Sequence, residues 1–394
     1  MMRTALIVGA GIGGLSAAIA LRKVGWNVRV FERAASPREL GFGLALAPNA
    51  MAALDELGVA DAVLARAFAP AHARVEVRRM DGAVLKRAEV PVHEAFGGPL
   101  AVVLRRGLHG ALLDAVSLDG ITFGSEATGF SVHSDRVILR TANGDAHEGD
   151  LLVGADGMAS VVRRALHPTE PPPRSSGIVV VRGAVHAALD HLGDLAAVYY
   201  LGPGVESMIV RASDTGIYWY LSVAGELVPA AMRDPAAILA LMCPRFDATF
   251  RAVTTATDDV RYDELSDRDP IPFWGRDMVT LLGDAAHPLL PHTGQGAAQA
   301  IVDAVTLGRA LGENVGIEHA LRSYERERRG KTATLLKQGR RTARLMRTLN
   351  PIACHLREVA VRLLPIRAIV QILVRINRRA GTDVRQTQFS DPPS

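Results

Sequence analysis

Three short segments hold the residues with the clearest chemical meaning: Gly9-Ala10-Gly11-Ile12-Gly13-Gly14, Gly154-Ala155-Asp156-Gly157 and Gly283-Asp284-Ala285-Ala286-His287-Pro288. Glycines spaced as in the first let the backbone turn tightly and bring N–H groups against a pyrophosphate at the positive end of the following helix. Glu32, 23 residues beyond Gly9, is placed to accept hydrogen bonds from a ribose diol, and an acid there disfavours a 2′-phosphate. Gly9, Gly11, Ile12, Gly13, Gly14, Glu32 and Arg33 therefore read as a cradle for an adenine dinucleotide, without choosing between FAD and NAD. A further glycine-rich helix entry, Pro291-His292-Thr293-Gly294-Gln295-Gly296-Ala297, offers free N–H donors and about half a positive charge, which suits an anionic group.

The elements around these segments give them context. Thr4–Val8 reads as a strand, residues 15–24 as a helix ended by Gly25, and Asn27–Phe31 as a second strand, which is the βαβ setting a dinucleotide fingerprint needs. Runs with a period of two cover 74–79, 84–90, 177–185, 196–201, 205–212 and 216–223, with turns such as Gly202-Pro203-Gly204 between them, and predict a mainly antiparallel sheet. The proline-rich stretch 168–173 separates that block from Asp156. Helical patterns follow from Gln295 through Leu311 and from Ile317 to about Arg379, interrupted at Pro351 and Pro365. The expected fold class is α/β: a Rossmann-like dinucleotide-binding domain (1–73, 99–170 and 263–320) with an inserted, mainly antiparallel sheet domain (74–98 and 171–262) and a C-terminal helical segment (321–394).

Composition bounds the rest. A chain of 394 residues that is 48% hydrophobic and 22% charged reads as two or three packed domains of an ordinary globular protein. Cys243 and Cys354 make no disulfide framework and match no metal spacing, so a reducing compartment and buried fillers are expected. The apolar run at Ala5–Val8 is too short for a secretory core, and no apolar stretch is long enough to span a bilayer, so the body of the protein is expected in the cytoplasm. From Leu321 to Arg379 sixteen Lys/Arg face three acids, a local +13 that leaves −9 on the rest of the chain (45−16 minus 41−3). The basic character thus belongs to one terminal segment, and a nucleic-acid-coating surface is not implied.

Taken together and in order, the three segments resemble the FAD-dependent aromatic hydroxylases, the single-component flavoprotein monooxygenases of the para-hydroxybenzoate hydroxylase type, over roughly the first 330 residues. That resemblance implies FAD as cofactor, NAD(P)H as co-substrate and O2 as oxidant, with oxygen transferred from a flavin C4a-hydroperoxide to an aromatic or polyketide-like small molecule. It further implies that Gly283 and Asp284 hold the ribityl chain, that Pro291, Gly294, Gln295, Gly296 and Ala297 lie along the flavin ring, that Asp156 sits near FAD and pyridine nucleotide, and that Arg105 touches the phosphates or ribityl chain, with Arg106 the adjacent competitor. Ala298 and Val302 stand where many members have Asn and Glu. The paired tryptophans before Ile-Pro that mark flavin halogenases are absent.

On this reading the protein supplies orientation, electrostatics and exclusion of water rather than a nucleophile, and no Ser/His/Asp triad stands in a recognised context. Arg182 matches an arginine that many relatives carry at the start of the sheet and could orient substrate, or make an ion pair between domains. His292 is the most tempting titratable group, being a convenient acid–base residue that is often structural instead; His287 reads as a local packing or hydrogen-bonding residue. Tyr199, Tyr218, Trp219 and Tyr220 alternate along strands, so only some can face a pocket. Residues 340–379, with ten arginines and one acid, read as a helical layer over the cofactor domain. The sharper alternative is weak contact with an anionic membrane surface that delivers a lipophilic isoprenoid to a flavin epoxidase or reductase. A non-catalytic flavin redox sensor is the remaining alternative.

Overall fold

The structure is a computed structural model that describes residues 2–37, 43–186, 189–313, 316–365 and Ala368. Its first strand, Thr4–Val8, pairs in parallel with Asn27–Phe31 on one side and Leu151–Gly154 on the other. Ile121–Thr122 and Val279–Leu281 extend this to a five-stranded parallel sheet. Its central strands are runs of Leu, Ile and Val buried on both faces, as a parallel sheet covered by helices requires. The helix Ile12–Lys23 starts earlier than the expected Leu15. The reason is that Gly13 and Gly14 are themselves helical, and only residues without a Cβ can press so closely on Leu282 and on the Gly9 carbonyl.

A second helix, Gly296–Gly312, packs against Ile12–Lys23 and is buried almost all round. Gly308 brings the two together, since a Cβ there would stand 2.9 Å from the Ala20 Cβ. Ala298 and Val302 lie wholly inside this core, so apolar residues suit both positions.

The six predicted antiparallel runs assemble, together with an edge strand not foreseen from sequence, into one seven-stranded sheet, ordered Val260–Asp267, Arg174–His186, Gly216–Ala224, Val205–Arg211, Ala197–Gly202, His72–Arg79 and Val84–Pro91. All neighbours are antiparallel except Ala197–Gly202 with His72–Arg79. The expected domain boundary after residue 262 falls inside the edge strand Val260–Asp267, whose pairing to Arg174–His186 runs on through Asp267.

Strand alternation gives this sheet two different faces. Val198, Tyr200, Ile209, Ile217, Trp219 and Leu221 turn to the helices Pro235–Met242 and Ala248–Thr255 and build a separate core there. On the other face Val210, Ala212 and Tyr218 pack on Val102 and Leu104, while Ile178 and Val180 pack with Leu290 and Ala343. That face is therefore closed by the segments expected to hold the cofactor.

The basic tail forms the helices Ile317–Met346 and Pro351–Leu363. Pro351 is the first residue of a new helix capped by Asn350, rather than a kink in an old one, because the ring needs no N–H partner there. The tail covers more than the cofactor domain. Arg340 forks onto Asp267 at 2.8 and 2.9 Å, Arg347 bonds the Ser176 carbonyl at 2.9 Å, and Arg357 bonds the Gly202 carbonyl at 2.7 Å, all in the large sheet or its turns. Lys86 reaches the last carbonyls of the second helix, Val361, Arg362 and Leu364, a cation at the negative helix end. The second helix ends at Leu363, so the chain is no longer helical at Pro365 as expected, while residues 366–394 other than Ala368, where the helical pattern was expected to continue, lie outside the described residues. No described helix is long and apolar enough to cross a membrane.

Candidate active site

Gly9 adopts φ +100° and a Cβ on it would lie 2.6 Å from the Ala155 carbonyl oxygen, while one on Gly14 would lie 1.9 Å from the Gly9 oxygen. These two glycines let the first and second segments touch, a backbone approach closed to any side chain. Gly11, in contrast, faces open space, as do Gly157, Gly294 and Gly296. The structure thus sorts the glycines into those that pack the fold and those that leave bare backbone on an open surface.

Glu32 stands at the end of the second strand, where its Oε2 accepts the Ala10 N–H and its Oε1 accepts the Ala34 N–H, both at 2.8 Å. Two backbone donors orient the carboxylate beside the glycine turn, leaving lone pairs for a diol. Arg33 is exposed. His109, not singled out from the sequence, closes the other side of the turn with Nε2 2.8 Å from the Ala10 carbonyl.

Asp156 Oδ2 accepts the Val161 N–H at 2.7 Å, at the start of the short helix Val161–Leu166, while its Oδ1 is buried with no hydrogen-bond partner among the described residues. Burial pushes its carboxyl up against the lowering effect of Ser160 and the Val161 N–H. A buried acceptor left open next to Gly9 fits a hydrogen-bond donor supplied by a ligand.

Arg105 begins the helix Arg105–Val116, is half-buried and makes no hydrogen bond or ion pair with the described residues. Burial pulls its guanidinium down, Asp284 opposes that, and the nearby Arg182 adds to it. Arg106 points elsewhere and meets His186 at the surface. Asp284 is exposed by surface area yet densely surrounded by protein, as befits a side chain on the floor of a cleft; burial raises its carboxyl, with His287 and Arg105 pulling it back down.

The Gly283–Asp284 turn is held from beneath by a buried polar network that sequence reasoning missed. Asp303 Oδ2 accepts the Gly283 N–H at 3.0 Å and meets His287 Nε2 at 2.5 Å, while Oδ1 takes Arg328 Nε at 2.6 Å. Arg328 also bonds Gln299, which bonds Gln295 Oε1 at 3.0 Å, and Asn49 reaches the same oxygen at 3.1 Å. Arg163 binds the carbonyls of Ala285 and Ala286 at 2.9 and 2.8 Å. Burial works to raise the Asp303 carboxyl, but His287 and Arg328 together bring it down to about 2. The one available signal was Asp303, a lone charge in the stretch Gly296–Leu307, whereas Arg328 stands in the charged run Glu325-Arg326-Glu327-Arg328-Arg329 and gave none.

Gln295, expected along the flavin ring, turns its side chain into this network, so it can offer a ligand only its backbone. Ala297 packs on the core and Pro291 is exposed. His292 lies in the Pro291–Thr293 turn before Gly294 (φ +64°), with Nδ1 buried and without a partner among the described residues; burial lowers its pKa, opposed by the charge of Glu206.

Facing these segments is one row of the large sheet. Tyr199 pairs with Met208, Met208 with Tyr220, and Tyr220 with Arg182, so all four share a face, and Glu206 lies two residues from Met208 on the same side. Trp219 belongs to the opposite face, where its Nε1 donates to Thr257 at 2.8 Å. Arg182 forms an ion pair with Asp263 at 2.9 Å within the sheet. Cys243, expected as a buried filler, is half-buried with its Sγ 3.6 Å from Thr254 Oγ1, and Cys354 is buried. Among the described residues no His, Cys, Asp and Glu group could hold a metal.

Bare glycine backbone, Arg105 without a partner among the described residues, an open Asp156 oxygen and the surface-exposed Asp284 together would suit a phosphate-bearing dinucleotide. The FAD binding domain family matches residues 2–338. The chain belongs to the FAD-dependent aromatic hydroxylases and is a flavoprotein monooxygenase. It is 33% identical to the aurachin C monooxygenase/isomerase of Stigmatella aurantiaca, over 92% of this chain and 94% of that one. It is 34% identical to the 3-hydroxybenzoate 6-hydroxylase 1 of Aquipseudomonas alcaligenes, over 84% and 86% of the two chains. Among solved structures, Klebsiella pneumoniae HpxO complexed with FAD and uric acid superposes with a TM-score of 0.89 at 25% identity, covering 96% of this chain and 97% of that one.

Proposed function

We propose that this monooxygenase uses NAD(P)H and O2 to hydroxylate an aromatic ring held between the Arg105, Asp284 and His292 segments and the Tyr199, Met208, Tyr220 and Arg182 row. The single observation that carries this is that row: aromatic and thioether side chains turned by strand alternation toward the cofactor segments. When bound and reduced, FAD supplies the activation of O2. Gly11 and Glu32 hold its adenosine end on a turn that Gly9 and Gly14 keep tight, Arg105 its phosphates, and Asp156 and Asp284 its ribityl side. The bare backbone at Gly294 and Gly296 supports the ring. Arg182, steadied by Asp263, orients the substrate. His292, with Nδ1 unengaged inside the protein, accepts a proton from a ring hydroxyl. The sheet of residues 72–91 and 174–267 is the substrate domain.

NADH and NADPH consumption by the purified protein across phenols, aromatic acids, quinolones and polycyclic phenols, with product masses, tests the reading. Ligand-stimulated consumption with gain of one oxygen supports it; a flavin that never reduces sinks it.

A second reading rests on the tail, where Leu345, Leu349, Ile352, Leu356 and Leu363 are exposed among arginines. An apolar stripe with cations beside it suits an anionic bilayer surface, from which a lipophilic substrate would be drawn. Liposome pelleting of the full chain against a truncation before Arg340 decides it, equal and negligible pelleting removing the membrane.

A further inference from the structure

We propose, building on the hydroxylase reading above, that Glu206 makes this site selective for an uncharged aromatic ring presenting an O–H or N–H donor, and turns ring carboxylates away. Glu206 lies near the start of the strand Val205–Arg211, on the face toward His292 and Leu290, and is 7% exposed. Tyr220 donates its hydroxyl to Oε1 at 2.7 Å. The other carboxylate oxygen, Oε2, is buried and has no hydrogen-bond partner among the described residues. His292 Nδ1 across the cleft is in the same condition.

No lysine or arginine forms an ion pair with Glu206 among the described residues. The tail cation Arg357 bonds the Gly202 carbonyl through Nη2 at 2.7 Å and lies 4.0 Å from the Met346 sulfur through Nη1, while its Nε is buried without a partner among the described residues. Met346 in turn takes the Tyr199 hydroxyl at 3.9 Å, so the tail helix forms one wall beside the carboxylate. Burial first, then the Glu206 charge and a hydrogen bond to its carboxylate, push the phenols of Tyr199 and Tyr220 far above their ordinary range, so both stay donors to Glu206 and neither adds a second negative charge.

A buried acceptor with an open oxygen is satisfied by a donor on the ligand. A ring carboxylate in the same place would bring a like charge into a water-poor site, where such juxtapositions cost the most. The pocket therefore recognises phenolic or heteroaromatic N–H rings by the proton they offer. The aromatic and thioether walls of Tyr199, Met208 and Met346 accept the rest of the ring as apolar surface.

The test uses the FAD-loaded protein and two matched probe pairs, 4-hydroxyquinoline with its 2-carboxylate and 3-hydroxybenzyl alcohol with 3-hydroxybenzoate, titrated against the flavin absorbance spectrum. The neutral member of each pair is expected to bind at least about tenfold more tightly. Glu206→Gln, checked for unchanged FAD content, is expected to bring each pair within about threefold, whereas Tyr220→Phe, which keeps the carboxylate, is expected to retain the preference. Wild-type protein that favours the carboxylates, binds each pair equally or responds to none of the four overturns the proposal, and so does a preference that survives in Glu206→Gln. Binding is read without turnover. A neutral probe that binds tightly and never stimulates NAD(P)H oxidation would count against the hydroxylase reading and leave the Glu206 selectivity standing.

Discussion

Arg328 Nε stands 2.6 Å from Asp303 Oδ1 with both side chains fully buried, and the other oxygen of Asp303 carries the Gly283 N–H. One carboxylate thus joins the tail helix, the long core helix and the turn that presents Asp284. Removing one member leaves the other as an uncompensated charge in the core, which costs about 3–5 kcal/mol. Asp303→Asn or Arg328→Leu is expected to lose about that much in urea unfolding at neutral pH. FAD retention on desalting should fall with it, because Gly283 loses its anchor.

The same pair gives a pH signature. Asp303 is held at about 2, below its ordinary value of 3.8. The stabilisation is therefore complete above the unfolded value and is lost as the pH falls through that of the folded state. The gap in urea midpoint between wild type and Asp303→Asn should be constant from neutrality down to about pH 5 and shrink between about pH 4 and about pH 2. A gap that closes near pH 6 would point to a different group.

Two glycines of one motif should respond oppositely to alanine. At Gly14 the new Cβ would meet the Gly9 oxygen at 1.9 Å, whereas at Gly11 nothing lies within 4 Å. Gly14→Ala is expected to lower Tm in the apoprotein as well as abolish FAD binding. Gly11→Ala should leave the apoprotein Tm unchanged, or slightly raised through lost unfolded-state freedom, and weaken FAD alone. Differential scanning fluorimetry with and without FAD separates the two.

Much of this was legible in the sequence, and the limits have physical causes. The strand Asn27–Phe31 could be bounded from sequence because Gly25 and Glu32 flank it, and six strands of the large sheet because glycine-containing turns separate them, whereas the edge strand Val260–Asp267 was missed because charged residues fill it. The start of the first helix was misjudged because Gly13 and Gly14 read as turn residues, although here they are helical for close packing. Asp303, Arg328 and Gln299 were invisible as a network because they lie far apart in sequence and each looks like an ordinary helix residue. Glu206 escaped for the same reason: one acid in an alternating strand looks solvent-facing until the far side of the sheet is known to be covered.

Arg105 and Arg106 are adjacent in sequence and separate in their surroundings. Arg105 is half-buried near Asp284, and no partner among the described residues neutralises it, while Arg106 is at the surface beside His186. Arg105→Met should raise the FAD dissociation constant about 10- to 100-fold by removing a charge-assisted contact, with little loss in apoprotein stability. Arg106→Met should change neither. Fluorescence titration of the apoproteins with FAD distinguishes them, and equal effects would remove the assignment of Arg105 to the phosphates.

His292 offers the most direct test of proton handling. Burial lowers its pKa from the ordinary 6.5, against the opposing charge of Glu206, so the imidazole is neutral at pH 7 and able to accept a proton. Folding favours that neutral form, a contribution fully present above the unfolded value and lost as the pH drops through the depressed one. The rate of ligand-stimulated hydroxylation should accordingly fall on an acid limb whose midpoint lies below 6.5. His292→Gln, which keeps a hydrogen-bonding side chain but cannot titrate, should lower kcat roughly 100-fold and erase that limb. If kcat drops while the limb keeps its midpoint, another group carries the proton and His292 only shapes the Pro291–Thr293 turn; an unchanged kcat removes it from the chemistry altogether.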